Sequence, residues 1–254
     1  AWQEFCPPLL YRYRNRRAHC VHAPPDYAIF AAYPRQPLVV TFHNYFLDQA
    51  FMPYSTRLQQ VHYRTDLRYF TTRAMRRAQT VVAVSHFLAD LVRSDLSATI
   101  PIQVIHNGVD TDHFQPASRR SGHAVRVLVS GNLTRRKGAW LLPAIAAQLH
   151  PGTEIHYTQG LRTGDALAQE TRLHNLGRIP HAQMPQCYQQ MDILLTPTLR
   201  EGFGLGVAEA MACGLPIVAS DAAALPELVV PGLGGFLCPV GDAACFAAHL
   251  NQLA

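Results

Sequence analysis

Apolar and polar positions along this chain alternate between short apolar runs and longer stretches with helical spacing. In residues 122–254 six apolar runs stand out, at 125–130, 154–158, 174–179, 192–197, 216–221 and 235–240. Helical patterns separate most of them, which is the rhythm of a parallel, doubly wound sheet. Six strands complete one Rossmann-like half of that kind. Residues 1–108 offer only four such runs, at 20–23, 38–42, 80–84 and 102–105. Pro116, Ser118, Ser121 and Gly122 punctuate the stretch between, so 109–121 reads as a linker. The pattern predicts an α/β protein with a short Rossmann-like domain over 1–108 and a fuller one over 122–254.

Composition narrows this picture. A length of 254 residues with 48% hydrophobic content suffices for one or two α/β cores. No apolar run reaches the ~18 residues a membrane span needs, and no signal peptide opens the sequence. The six cysteines, Cys6, Cys20, Cys187, Cys213, Cys238 and Cys245, show no CxxC or other metal-ligand spacing. They read as reduced, buried thiols of a cytoplasmic protein. Charge is uneven: residues 1–108 carry 12 Arg against 6 Asp plus Glu, while 122–254 carry 8 basic against 9 acidic. YRYRNRR (11–17) concentrates much of the excess. A basic first half suits an anionic acceptor or a membrane surface, with a solvated basic helix as the plainer alternative. No DNA- or RNA-binding motif accompanies the charge, so nucleic acid is not an expected partner.

The richest chemistry lies in TLREGFGLGVAEAMACGLPIVASDAAALPE (198–227). The run DILLTP (192–197) leads into a loop carrying Glu201, then Gly202, Gly204 and Gly206, then an apolar helical stretch containing Glu209. Gly214 and Pro216 form an ordinary helix stop. Glycines between a strand and a helix let backbone N–H groups approach a ligand, and a helix N-terminus favours negative charge there. With a helix start near Leu205, Glu209 lies roughly 6 Å further along the axis at ~1.5 Å per residue. An anion at that N-terminus would thus have a carboxylate on each side. A nucleoside-diphosphate sugar, with hydroxyls at both ends and phosphates between, matches this pattern.

A second loop, GNLTRRKG (131–138), places Arg135, Arg136 and Lys137 just before a helix expected over 139–149. Cations at a helix N-terminus oppose the macrodipole unless a shared anion reverses the sign. Lys137 is the only lysine among 22 basic residues, and a compact ammonium suits a pyrophosphate oxygen. Simple arginine bias with one survivor is the alternative.

Other features compete. GFGLG imitates a dinucleotide-binding turn and Asp221 ends a strand about where an NAD-binding acid falls. Against that, no third glycine stands at the right offset and a four-residue loop (198–201) follows the strand. His43 ends the apolar run LVVTFH at the carboxyl edge where α/β ligands bind, and a packing histidine is its plainer reading. His22 reads as structural. Asp110 and Asp112 fit a turn better than a metal site.

Glu201, GFGL and a second Glu eight positions on resemble the EX7E signature of family 4 retaining glycosyltransferases of the GT-B fold. VRVLVSGNLTRRKGAWLL (125–142), VIHNGVDTDHF (104–114) and VTFHNYF (40–46) are similar to the family's diphosphate grip, linker and active-site histidine segment. The resemblance implies two Rossmann-like doubly wound domains facing across a cleft, the N-terminal one incomplete here. It implies His43 as the active-site histidine, and Lys137 and Arg136 as phosphate contacts in the loop opened by Gly131. Some relatives place arginine straight after that glycine, where this chain has Asn132. Glu201 with the N–H groups of Phe203 and Gly204 would orient sugar hydroxyls. Gly202 and Leu205 complete that donor-binding segment, and Glu209 would hold the ribose.

The implied activity is retaining transfer of a hexose-type sugar from a UDP- or GDP-linked donor to a glycan or lipid-linked acceptor in polysaccharide biosynthesis. Neither a metal nor another cofactor is implied. A nucleotide-sugar epimerase, a non-catalytic nucleotide-sugar-binding protein and an NAD-dependent dehydrogenase are the alternatives. A relative would start with further strands and continue past Ala254 with further helices, so both ends are expected to be missing unless the chain is a minimal member. The implied location is cytoplasmic, with peripheral contact at the inner face of the membrane through the basic half.

Overall fold

The computed structural model describes residues 10–12, 14–96, 100–118, 124–160 and 171–254. Cys6, Tyr13 within the basic stretch, and Ser121 and Gly122 at the linker lie outside the described residues. The chain forms two compact units, Ala1–Asn107 and Gly108–Ala254.

The first unit runs β1 (Val21–Ala23), α1 (Ala28–Ala31), β2 (Leu38–Phe42), α2 (Arg57–His62), α3 (Arg68–Arg77), β3 (Thr80–Ala83), α4 (His86–Leu96) and β4 (Ile102–Val104). Its four strands lie parallel in the order β1-β2-β3-β4. In β2, Leu38, Val40, Thr41 and Phe42 are buried, as a strand covered on both faces requires. α2 begins with a capping box at Thr56 and Gln59. Much of the arginine in this unit is structural. Arg14 donates to the carbonyls of Phe30 and Ile29 at 2.9 and 3.2 Å. Arg77 donates to those of Tyr33 and Gln36. Arg14 thus sits where the C-terminus of α1 concentrates negative partial charge, while Arg77 ties down the loop that follows. His22 bonds to Thr41 Oγ1 at 2.7 Å, in keeping with its structural reading.

The second unit runs β5 (Val125–Val129), α5 (Leu142–Ala146), β6 (Thr153–Tyr157), β7 (Leu173–Asn175), α6 (Met184–Gln189), β8 (Ile193–Thr196), α7 (Leu205–Ala212), β9 (Ile217–Ser220), α8 (Leu225–Leu228), β10 (Gly235–Cys238) and α9 (Ala243–Leu253). All its strands are parallel, in the order β10-β9-β8-β5-β6-β7. Alternation along β5 splits its side chains between two cores: Val127 and Val129 pack under α5 and α9, Leu128 under α6 and α7. Phe114, inside the stretch expected as a linker, is buried in the second of these cores. The strand order reverses between β5 and β8, the switch point beside which a doubly wound sheet binds ligands.

The helix expected over 139–149 is shorter. A 3-10 turn spans Ala139–Leu141 and α5 begins only at Leu142. Pro143 stands in the first turn of α5, where its missing N–H costs nothing; further inside a helix it would remove a hydrogen bond. The thiols are not uniformly buried either. Cys187, Cys213 and Cys238 are, whereas Cys20 is exposed and Cys245 half-buried.

Burial raises the Asp26 carboxyl to about 6, with its own backbone hydrogen bond and His62 opposing. The folded chain therefore holds this proton more tightly than the unfolded one. The stabilisation is present at acid pH and is lost as pH rises from about 4 through about 6. Asp26→Asn should then stabilise the protein at pH 7.5 by on the order of 2 kcal/mol and have little effect at pH 4, read as paired thermal melts.

Candidate functional site

A cavity of about 460 Å³ opens at the carboxyl ends of β5, β6 and β8. Two loops that leave β5 and β8 shape it. Gly131, at φ +103°, follows β5, and its N–H donates to Thr158 Oγ1 at 2.8 Å, tying this loop to the end of β6. Thr134 then caps a short 3-10 turn, Arg135–Lys137. Gly138 ends the turn at φ +77°, and a Cβ there would lie 2.0 Å from the Pro197 carbonyl oxygen. Only glycine satisfies both the left-handed backbone and this approach.

That contact brings the basic loop against the loop after β8. Leu199 N–H donates to the Arg136 carbonyl at 2.9 Å, and the Arg136 guanidinium donates to the Arg200 carbonyl at 2.6 Å. Thr198, fully buried, donates towards the same two carbonyls. The outcome is an ion pair between Lys137 Nζ and Glu201 Oε2 at the cavity wall. Their side chains are 25% and 19% exposed, so water screens the pair only in part.

Beyond Glu201 the chain passes through buried Gly202 and Phe203 to Gly204 at φ +102°, and α7 begins at Leu205. No side chain caps this start. Leu205 and Gly206 line the cavity, so the first N–H groups of α7 belong to its wall. One turn on, Glu209 faces the same space with its side chain 13% exposed. Tyr188 OH donates to Glu209 Oε2 at 3.0 Å, and His181 Nε2 lies 3.3 Å from Oε1. Burial and then the neighbouring Glu209 carboxylate push the Tyr188 phenol far above its usual range, and Ser130 donates back to it. The phenol thus remains a donor.

Gly131, Lys137, Glu201, Gly204, Leu205 and Glu209, singled out in the sequence, line this one cavity. Arg136 does not; it is spent on the Arg200 carbonyl. Phe203 and Gly202 are buried outside the lining, and Asp221 is absent from it as well. His43 is exposed just past β2, in the first unit. Asp110 accepts from the N–H groups of Asp112 and His113 at 3.0 and 3.2 Å, the turn expected of that stretch. Tyr188, His181 and Arg178 were not foreseen as site residues. Tyr188 is a core residue of α6, 1% exposed.

A doubly wound sheet thus carries two carboxylates, a lysine and a helix start without a side-chain cap around one cavity at its switch point. Comparison with known proteins takes this further. Residues 124–254, just over half of the chain, match the family described as glycosyl transferases group 1. Residues 4–113 match the family described as glycosyltransferase family 4. The chain belongs to the group 1 glycosyl transferases. It is 30% identical over 172 residues to a D-inositol 3-phosphate glycosyltransferase of Mycolicibacterium smegmatis, covering 60% of this chain and 39% of that protein. The counterpart in Corynebacterium kroppenstedtii is 31% identical over 180 residues, with 60% and 40% covered. The chain thus spans about 40% of the length of these curated relatives.

Among solved structures, a sucrose-phosphate synthase from Thermosynechococcus elongatus matches at TM-score 0.77 and 21% identity, over 92% of this chain and 64% of that one. HepE from Anabaena, solved in complex with UDP-glucose, matches at 0.67 and 23%, over 92% and 68%. The fold is GT-B, with two parallel-sheet α/β units.

The Gly138 approach is directly testable. Gly138→Ala must move the Pro197 carbonyl and hold alanine at positive φ, for about 3 kcal/mol or more. A fall in Tm of about 6–12 °C is expected in thermal unfolding. Gly131→Ala, with open space around its Cβ, should cost clearly less.

Proposed function

We propose that this chain acts in retaining hexosyl transfer from a UDP- or GDP-linked sugar, with the donor held by its second unit and the acceptor by its first. The observation that carries the reading is that Lys137, Glu201, the uncapped start of α7 and Glu209 line one cavity at the sheet's switch point. The UDP and UDP-glucose complexes of HepE support a nucleotide-sugar ligand. In this reading the ribose hydroxyls bond to Glu209, the diphosphate lies on the first N–H groups of α7, and the sugar hydroxyls reach Glu201. Negative charge grows on the leaving phosphate as the anomeric bond breaks. Lys137 and the helix start stabilise that charge without a metal. The Lys137–Glu201 pair then works as an exchange: Lys137 turns to the phosphate, and the released carboxylate accepts from the sugar.

The acceptor attacks on the face the diphosphate leaves, with a phosphate oxygen as base, and His43 of the first unit serves the reaction centre. The basic first unit would take an anionic glycan or lipid-linked acceptor and make peripheral membrane contact. Exposed Leu58, Val61 and Tyr69 beside Arg57, Arg64 and Arg73 support that reading. No helix among the described residues is long and apolar enough to cross a membrane. Incubating donor alone distinguishes an epimerase, which would return epimerised sugar, from a transferase.

Glu209→Ala should weaken free UDP or GDP binding by ~1.5–3 kcal/mol, or about 10- to 150-fold. Glu201→Ala should leave that affinity nearly intact and lose discrimination among donor sugars. Equal loss in both variants, by calorimetry, would overturn the division of roles.

Tyr188→Phe removes the donor that aims Glu209. We expect roughly tenfold weaker binding of the ribonucleoside diphosphate and little change for its 2′,3′-dideoxy counterpart. Lys137→Ala should lower turnover more than donor affinity, with Lys137→Arg restoring only part. Neither Mg²⁺ nor Mn²⁺ should raise wild-type turnover.

A further inference from the structure

Outside the donor cavity, β10 and α9 converge on a cluster that the transfer reaction does not use. Cys238 is the last residue of β10 and is fully buried. A tight turn follows, and Asp242 caps α9 by accepting from Cys245 N–H at 3.0 Å. Cys245 thereby falls in the first turn of α9, with His249 one turn further along the same face. The two sulfurs and a ring nitrogen of His249 all lie within 4.8 Å of one another.

The imidazole is held by its ring rather than by its nitrogens alone. Phe236, two residues before Cys238 on the same face of β10, stacks on it at 4.2 Å and 8°. Nδ1 of His249 lies 3.4 Å from Gln252 Oε1, the sort of outer partner that fixes the tautomer of a ligating histidine.

We propose that Cys238, Cys245 and His249 bind a thiophilic divalent metal ion of the zinc class. Two thiolates and one imidazole form a borderline-soft donor set that suits such an ion, and water would complete a tetrahedral shell. Ligand bonds of about 2.0–2.3 Å place tetrahedral donors ~3.5–3.8 Å apart, so the cluster needs to close by at most about 1 Å. The half-buried Cys245 and His249 supply that movement from the solvent side, while Cys238 stays fixed in the core. The spacing C-x6-C-x3-H matches no familiar metal pattern, because the strand-to-helix turn, rather than sequence proximity, assembles it. The bound ion would clip α9 to β10, the edge strand of the second sheet, without touching the donor cavity. It makes no contact with substrate and takes no part in the transfer chemistry.

The test uses the whole chain, reduced and freed of metal, titrated with Co²⁺ as the probe. One equivalent should give a sulfur-to-cobalt charge-transfer band with the visible bands of a four-coordinate ion, and Zn²⁺ should bleach both. Because Cys238→Ser carries a risk to the core, the decisive variants are Cys245→Ser and His249→Gln. Cys245→Ser should lose about half of the charge-transfer intensity and bind at least about tenfold more weakly. His249→Gln should keep the charge-transfer band and shift the visible ones. Cys20→Ser, exposed and elsewhere, should change nothing. Three results would each overturn the proposal: no charge-transfer band; spectra unchanged in Cys245→Ser or His249→Gln; or a Cys238–Cys245 disulfide under mild oxidation in a chain whose reduced form shows no band.

Discussion

The close approach of Gly138 to the Pro197 carbonyl is the constraint on which the candidate site depends. It joins the two loops that leave β5 and β8, neighbouring strands at the point where the sheet reverses direction of growth. Each loop alone is a surface segment with exposed backbone, and such segments drift. Joined through Leu199, Arg136, Thr198 and Arg200, they become one rigid ledge. Lys137 and Glu201 protrude from that ledge in register, although 64 residues separate them. The donor end of the cavity is therefore set by backbone packing, and its charged groups are consequences of that packing.

The adjacent arginine and lysine in the basic loop show how such a ledge sorts neighbours. Arg136 and Lys137 are adjacent in sequence and equally cationic. The 3-10 turn over Arg135–Lys137 rotates successive side chains by about a third of a turn. One cation consequently goes inward to the backbone of the β8 loop, and the other goes to the cavity. A planar guanidinium with several donors suits a carbonyl-binding role, and a compact ammonium suits exchange between a carboxylate and a phosphate. The same economy recurs in the first unit, where Arg14, Arg68, Arg77 and Arg93 are engaged with carbonyls and carboxylates. Its net positive charge is thus partly a building material, and only the remainder is available to steer a ligand.

The ten strands were legible in the sequence to within one residue at the start and up to four at the end. The central ones leave apolar runs because parallel strands are covered on both faces, whereas β7, Leu-His-Asn, carries the weakest such signal. The helix start after Gly204 was legible as well, since that glycine and the apolar stretch after it are local signals. What stayed hidden came from tertiary geometry. The expected helix over 139–149 contracted around Pro143. Tyr188 is a core residue of α6, yet its hydroxyl reaches Glu209 at the cavity wall. His181 reaches the same carboxylate from the turn before α6, and nothing in PHAQMPQ announces it. Cys238 and His249 come together only because α9 folds back along β10.

These hidden groups explain why the two signature carboxylates are not equivalent. Glu201 is balanced by the Lys137 cation, and in the proposed exchange its acceptor capacity depends on what else is bound. Glu209 is flanked instead by a buried phenol that remains protonated and by an exposed imidazole, and its orientation is set before any ligand enters. A pre-oriented acceptor loses little freedom on binding and suits a part of the ligand that does not change during reaction. An acceptor released by exchange suits the part where charge moves. The spacing of the two residues places them at opposite ends of one helical turn and loop, and under the proposed function the difference in their partners would divide static recognition from the chemical step.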